Sequence, residues 1–321
     1  MPVLDKPLSE LIKYQGINPR PADFDAYWDA ALKELDAVNP NIDLIPSKEL
    51  QSFGAEAFNL FFTGVGGARI HAKYLRPRHA TKPHPAVVQF HGYSGHSGDW
   101  SDKLNYISQG FSIASLDCRG QAGLSEDNSQ VKGNTLQGHF VRGLNDPDPK
   151  KLLFRQMFLD TAQLARIVMS FDEVDATRVG AMGGSQGGGL TLACAALEPR
   201  IKLVAPVFPF LSDYRRVWEM DLAKDAYDEL KKFFRMYDPH HEREEEIFTK
   251  LGYIDVHHLA PRIKGEVLML ISQMDNICPP STQFAAYNAI QSKKQYLLYP
   301  DFGHEGLPGG NDKIFNFLSK L

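Results

Sequence analysis

Cysteine is scarce in this sequence: three residues in 321, Cys118, Cys194 and Cys278, far apart along the chain. So sparse and odd a set is no disulfide framework, and without a CxxC spacing it marks no zinc site. Free thiols of this kind fit a reducing compartment. Long apolar runs are also lacking, and none approaches the roughly 20 residues that a membrane span requires. The opening MPVLDKPLSELIKY has no basic stretch leading into an apolar one, so no secretory leader is read there. Charge of one sign is lacking too: 35 Lys and Arg face 39 Asp and Glu, a net −4, with no basic cluster. That excludes the electrostatic footprint of a nucleic-acid or anionic-lipid binder. The expectation is a cytoplasmic protein acting on small molecules, with no nucleic acid and no membrane as partner.

What is present is an alternation of short apolar runs with helical patterns. Residues 1–50 read as an N-terminal helical extension, with Phe24, Tyr27, Trp28, Ala31 and Leu32 at helical spacing. AEAFNLFFTG and ARIHAKYLRP, joined by Val-Gly-Gly, read as a hairpin. Apolar runs then follow at 85–91, 111–117, 177–184, 201–207, 266–272 and 294–300. They lack polar alternation, as strands covered on both faces do. The chain therefore reads as one α/β domain over 1–321, with a mostly parallel central sheet flanked by helices. Residues 208–262 are too many for one crossover and read as a helical cap inserted over the carboxyl ends of the strands, where open α/β sheets bind ligands. A peripheral helical layer is the alternative.

Chemistry concentrates at Gly183-Gly184-Ser185-Gln186-Gly187, a G-x-S-x-G pattern between a strand and a helix. That setting predicts a nucleophile elbow of the α/β-hydrolase fold, with Gly183 and Gly187 where a Cβ would collide. The plainer alternative is a Gly-rich turn with an incidental serine. Ser94 and Ser97 lack the glycine spacing. A hydroxyl nucleophile needs a base working near neutrality, which histidine supplies. Of eleven histidines only His304 follows the last strand, and the fold order Ser–acid–His selects it. Two acids compete: Asp275, in the loop after run 266–272, and Asp301, on the strand end that presents His304. Fold order favours Asp275. His91-Gly92-Tyr93 closes run 85–91 where this fold keeps its oxyanion loop, so the Tyr93 and Gln186 backbone amides are the expected oxyanion donors. His91 itself reads as structural. The pairs His240-His241 and His257-His258 resemble metal ligands, but no further spacing completes a site, and solvated or capping histidines are expected. No cofactor and no metal is called for.

Three segments taken together resemble carbohydrate esterase family seven, the acetyl xylan esterases and cephalosporin C deacetylases: Arg119-Gly120-Gln121, Gly183-Gly184-Ser185-Gln186-Gly187, and His304-Glu305. TGVGGARIHAKYLRP, VVQFHGYSGHSGDW, FLSDYRRVWEM and MDNICPPST extend the likeness over most of 50–310. The resemblance implies removal of acetyl groups from small acetylated sugars, with tolerance for acetylated cephalosporins. It also implies an intracellular, cofactor-free hexamer and the same triad and oxyanion residues. Arg119 and Gln121 are expected to brace the loops that carry the triad rather than to touch substrate. A peptidase or thioesterase of the same fold remains an alternative, as does an inactive hydrolase-fold binding protein.

Overall fold

Residues that point alternately to two cores build the centre of the molecule. The computed structural model describes residues 4–132 and 139–321; the first three residues of the expected 1–50 extension lie outside the described residues. Among the described residues, nine strands form one sheet: β1 (Asp43–Pro46), β2 (Ala55–Thr63), β3 (Arg69–Pro77), β4 (His84–Phe90), β5 (Ser112–Leu116), β6 (Val174–Gly184), β7 (Leu203–Val207), β8 (Glu266–Ser272) and β9 (Lys294–Tyr299). Their spatial order is β1-β2-β3-β5-β4-β6-β7-β8-β9. The β1–β2, β2–β3 and β3–β5 pairs are antiparallel, and every pair from β5 to β9 is parallel.

The pleat divides the strands between two faces. Ala86, Val88, Val204, Val267, Met269 and Ile271 enter the core beneath helices Leu153–Met169 and Gln186–Leu197. Val87, Leu203, Ala205, Leu268 and Leu270 pack instead with Tyr106, Ile107, Ile314 and Phe317 of helices Leu104–Ser108 and Gly310–Leu318. This two-faced, largely parallel sheet is the α/β-hydrolase arrangement.

The helical reading of 1–50 stops at helix Phe24–Asp36, because Asp43–Pro46 forms the edge strand β1. β1 is mostly exposed and carries no apolar alternation, so only its pairing with β2 reveals it. Between β7 and β8 the chain forms helices Tyr214–Glu219, Asp228–Tyr237, Glu244–Leu251 and Val256–Leu259. Strand register then places the loops. Phe90 pairs with Gly183, Gly184 with Val207, and Ser272 with Tyr299. The loops that follow β4, β6, β7, β8 and β9 therefore leave the same edge of the sheet.

Candidate active site

Ser185 sits on the turn from β6 into helix Gln186–Leu197 with φ 57° and ψ −121°. That backbone conformation is strained for a residue with a Cβ, and strain of this kind collects where function requires it. Its N–H bonds to the Val207 carbonyl at 3.0 Å, which fixes the turn against β7. A Cβ on Gly183 would meet the Gly187 and Phe90 backbone at 2.6 Å, and one on Gly187 would run into the Phe90 carbonyl.

Two further loops converge on this turn. His304, in the loop after β9, brings Nε2 to 3.0 Å from Ser185 Oγ. Its Nδ1 lies 2.8 Å from Asp275 Oδ2. Asp275 is wholly buried in the loop after β8, and its Oδ1 accepts from the Ile277 and Cys278 amides at 2.9 and 2.8 Å. Those bonds orient the carboxylate toward the imidazole. Asp301 is exposed. The Phe208 ring, 4.6 Å from that of His304, closes the other side of the imidazole. Glu305 Oε1 accepts the Gly303 N–H at 3.0 Å and tightens the turn that presents His304.

Ser185 and His304 line a cavity of about 560 Å³ with Tyr93, Ile277, Asp225 and Ala226, the last two contributed by the segment between β7 and β8. Among the described residues, no protein acceptor takes the backbone N–H of Tyr93 or of Gln186. Gln186 is the first residue of its helix, where the N–H has no partner within the helix. A second cavity of about 640 Å³ lies beyond Phe208, between Tyr106 and Glu305.

The residues read as bracing, Arg119 and Gln121, join the loop after β5 to helices Leu153–Met169 and Gln186–Leu197. Arg119 holds Asp160 in a fork, Nε to Oδ2 and Nη2 to Oδ1 both at 2.6 Å, with each side chain 1% exposed. Gly120 turns the chain at φ 69°. The Gln121 and Gln186 amides exchange hydrogen bonds of 2.6 and 3.0 Å, while Gln186 Nε2 also reaches the His91 and Gly92 carbonyls at 3.4 Å. His91 Nδ1 donates to the Gly92 carbonyl at 2.7 Å, and its Nε2 accepts from the Cys118 amide at 3.0 Å, a neutral tautomer with a structural task.

Residues that the sequence reading passed over also hold this edge. Burial works against ionisation of Asp117, but hydrogen bonds from His71 and from the Leu124 and Ser97 amides outweigh it and hold the carboxyl below its usual range. Glu229, from helix Asp228–Tyr237, reaches the Tyr93 phenol. Neither carries a local pattern.

Two groups among the described residues bring three metal-type ligand atoms within 4.8 Å of one another: Asp255, His257 and His258, and Asp275, Cys278 and His304. In the first, His257 Nδ1 bonds Asp255 at 2.6 Å and His258 Nε2 bonds the Asn18 carbonyl at 3.1 Å. These histidines are therefore structural; of the solvated and capping readings, the solvated one fails for His257, which is 5% exposed. In the second, the atoms belong to the serine–histidine–aspartate chain, and burial pushes the Cys278 thiol well up. All three cysteines are free and buried.

The chain matches the family model for acetyl xylan esterase (AXE1) over residues 1–321. It is 58% identical to acetyl xylan esterase 1 from a Thermoanaerobacterium species, covering 98% of this chain and 99% of that one with a TM-score of 0.97. An acetyl xylan esterase from a Paenibacillus species is 37% identical over 98% of this chain and 99% of its own, with a TM-score of 0.93. Acetyl esterase Axe7A of Xylanibacter ruminicola is 26% identical over 91% of this chain, which spans 64% of that relative's length. A serine–histidine–aspartate chain at the edge of a hydrolase sheet and a family match from end to end lead to one assignment: the chain belongs to the acetyl xylan esterase family.

Proposed function

We propose that this protein is a serine carboxylesterase that removes acetyl groups from acetylated xylo-oligosaccharides and related small acetyl esters, acetylated cephalosporins included, through an acetyl-enzyme. The continuous hydrogen-bonded chain from Ser185 Oγ through His304 to Asp275 carries the reading. Ser185 Oγ attacks the acetyl carbonyl carbon while His304 Nε2 takes its proton. Asp275 keeps the proton of the neutral imidazole on Nδ1 and stabilises the imidazolium that forms. The carbonyl oxygen, now negative, moves to the Tyr93 and Gln186 amides; a donor of this kind is worth about 3–4 kcal/mol of barrier. The C–O bond to the sugar breaks, and the alcohol leaves with the proton from His304. Water, deprotonated by His304, then attacks the acetyl-Ser185 ester; acetate departs and Ser185 regains its proton.

Residues 208–262 serve as a cap, a role supported by Asp225 and Ala226 at the cavity wall. Cytoplasmic residence is supported by three buried free thiols, and a hexamer by the family resemblance alone. The test is an acyl-length series from acetyl to octanoyl on one leaving group, with acetylated xylo-oligosaccharide as second substrate. A steep fall after acetyl or propionyl, acetate release from the oligosaccharide and loss of both activities in Ser185→Ala are expected. Equal rates across the series, or turnover retained in Ser185→Ala, would overturn the reading.

A further inference from the structure

Glu229 lies in the first turn of helix Asp228–Tyr237 and is only 4% exposed. A buried carboxyl group without a counter-ion is unfavourable unless hydrogen bonds satisfy it. Of the charged groups on its own helix, the one that acts on Glu229, Lys232, pairs with Asp228 at 2.6 Å. What meets the Glu229 carboxyl is a set of donors from two other segments. The Tyr93 phenol donates to Oε1 across 136 residues of sequence, and the Phe140 and Val141 amides point at Oε2 from 3.1 and 3.4 Å. Tyr93 Oη in turn accepts the His139 N–H at 2.9 Å. The His139 imidazole bonds Ser94 Oγ at 3.0 Å and is kept neutral by burial, which lowers it to about 4.

These contacts leave Tyr93 little freedom. Its ring meets His139 and Phe210 edge to face, with centroids 4.9 and 5.3 Å away, and its oxygen is held from both sides. On the other flank of the loop, the His91 ring locks Gly92 and the Cys118 amide. The phenol and the backbone N–H belong to one residue, which lines the cavity beside Ser185, and two side-chain torsions join them. Fixing one end therefore aims the other. Aim matters, because an ångström of misplacement at a reacting centre can cost a hundredfold in rate.

We propose that Glu229 is a positioning residue of the oxyanion site, its carboxyl group holding the Tyr93 backbone amide in place through the Tyr93 phenol. The inference rests on the reading of that amide as an oxyanion donor. Burial also pushes the Glu229 carboxyl up to about 8, against the pull of the His139, Val141 and Phe140 amides, as expected of an acid placed for its hydrogen bonds rather than for its charge.

The experiment compares an acetate ester with its thionoester, whose C=S sulfur accepts hydrogen bonds poorly, in the wild type, Glu229→Gln, Tyr93→Phe and the double variant. Sulfur should lower the wild-type kcat by roughly a hundredfold, the size of effect seen when an oxyanion donor is lost. Each single variant should lose about tenfold or more in kcat on the oxygen ester, with KM within threefold. Its oxygen-to-sulfur ratio should shrink about tenfold, and the double variant should resemble the worse single one, as residues acting through one contact do. A merely structural glutamate would lower folded yield and leave the ratio alone. An unchanged ratio in both single variants, with the wild type still discriminating, overturns the inference and leaves the oxyanion reading standing. A wild type indifferent to sulfur overturns both. If Glu229→Gln does not fold, the ratio in Tyr93→Phe decides by itself.

Discussion

The side-chain amides of Gln121 and Gln186 hydrogen-bond each other in both directions, at 2.6 and 3.0 Å, although 65 residues separate them. The pair joins the loop after β5 to the helix that begins beside Ser185. Gln121→Leu takes the donor from Gln186 Oε1 and leaves Gln186 Nε2 with its 3.4 Å contacts to the His91 and Gly92 carbonyls and a 3.8 Å contact to Cys118 Sγ. Losing a buried partner in this way costs about 1–3 kcal/mol. The expected result is a lower urea midpoint together with about a tenfold fall in kcat, read by denaturation and by steady-state assay.

The Arg119–Asp160 fork lies in the same wall. Asp160→Asn keeps the shape and removes the charge that faces a guanidinium 1% exposed. Breaking one side of a buried pair destabilises by about 3–5 kcal/mol, because the remaining charge is left uncompensated. Denaturant unfolding should show that loss, whereas Arg119→Met with Asp160→Leu should recover much of it.

Asp275→Asn should spare the fold and disable the chemistry. The Asn oxygen can still accept the Ile277 and Cys278 amides, which turns its NH2 toward His304 Nδ1. The imidazole must then carry its proton on Nε2, facing Ser185 and unable to accept. A fall in kcat on the order of 10⁴ is expected from a wrong tautomer, with an unchanged melting curve. Proton NMR of the imidazole would report the tautomer directly.

Glu229 makes stability depend on pH. Burial raises its carboxyl from 4.5 to about 8, so between those values the folded state binds a proton that the unfolded state has released. The corresponding stability is fully present below pH 4.5 and lost as pH rises through about 8. Its slope approaches about 1.4 kcal/mol per pH unit inside that window. The wild type should therefore lose more stability between pH 5.5 and pH 8.5 than Glu229→Gln, whose amide does not ionise. Parallel curves would contradict the assignment.

Much of this was legible in the sequence because the fold turns order along the chain into position in space. Ser185, Asp275 and His304 each follow a strand whose apolar run needs no partner to be recognised, and parallel register brings the three loops to one edge. β1 gave no such signal, since Asp43–Pro46 is an exposed edge strand held by its neighbour's backbone. His257 and His258 read as solvated or capping residues, because the acid that bonds His257 was unremarkable two positions earlier and the Asn18 carbonyl that takes His258 lies 240 residues away. Glu229 was invisible for the same reason. Its partner is a phenol across 136 residues, and nothing about a glutamate in the first turn of a helix announces that it points inward.

The most direct measurement is peptide mass analysis of the enzyme acid-quenched during turnover of a fast acetyl ester. A single acetyl group on the peptide containing Ser185, absent from Ser185→Ala and much reduced in His304→Ala, is the predicted result. Acetyl carried on another residue, or full-speed turnover with Ser185 never modified, would contradict the account.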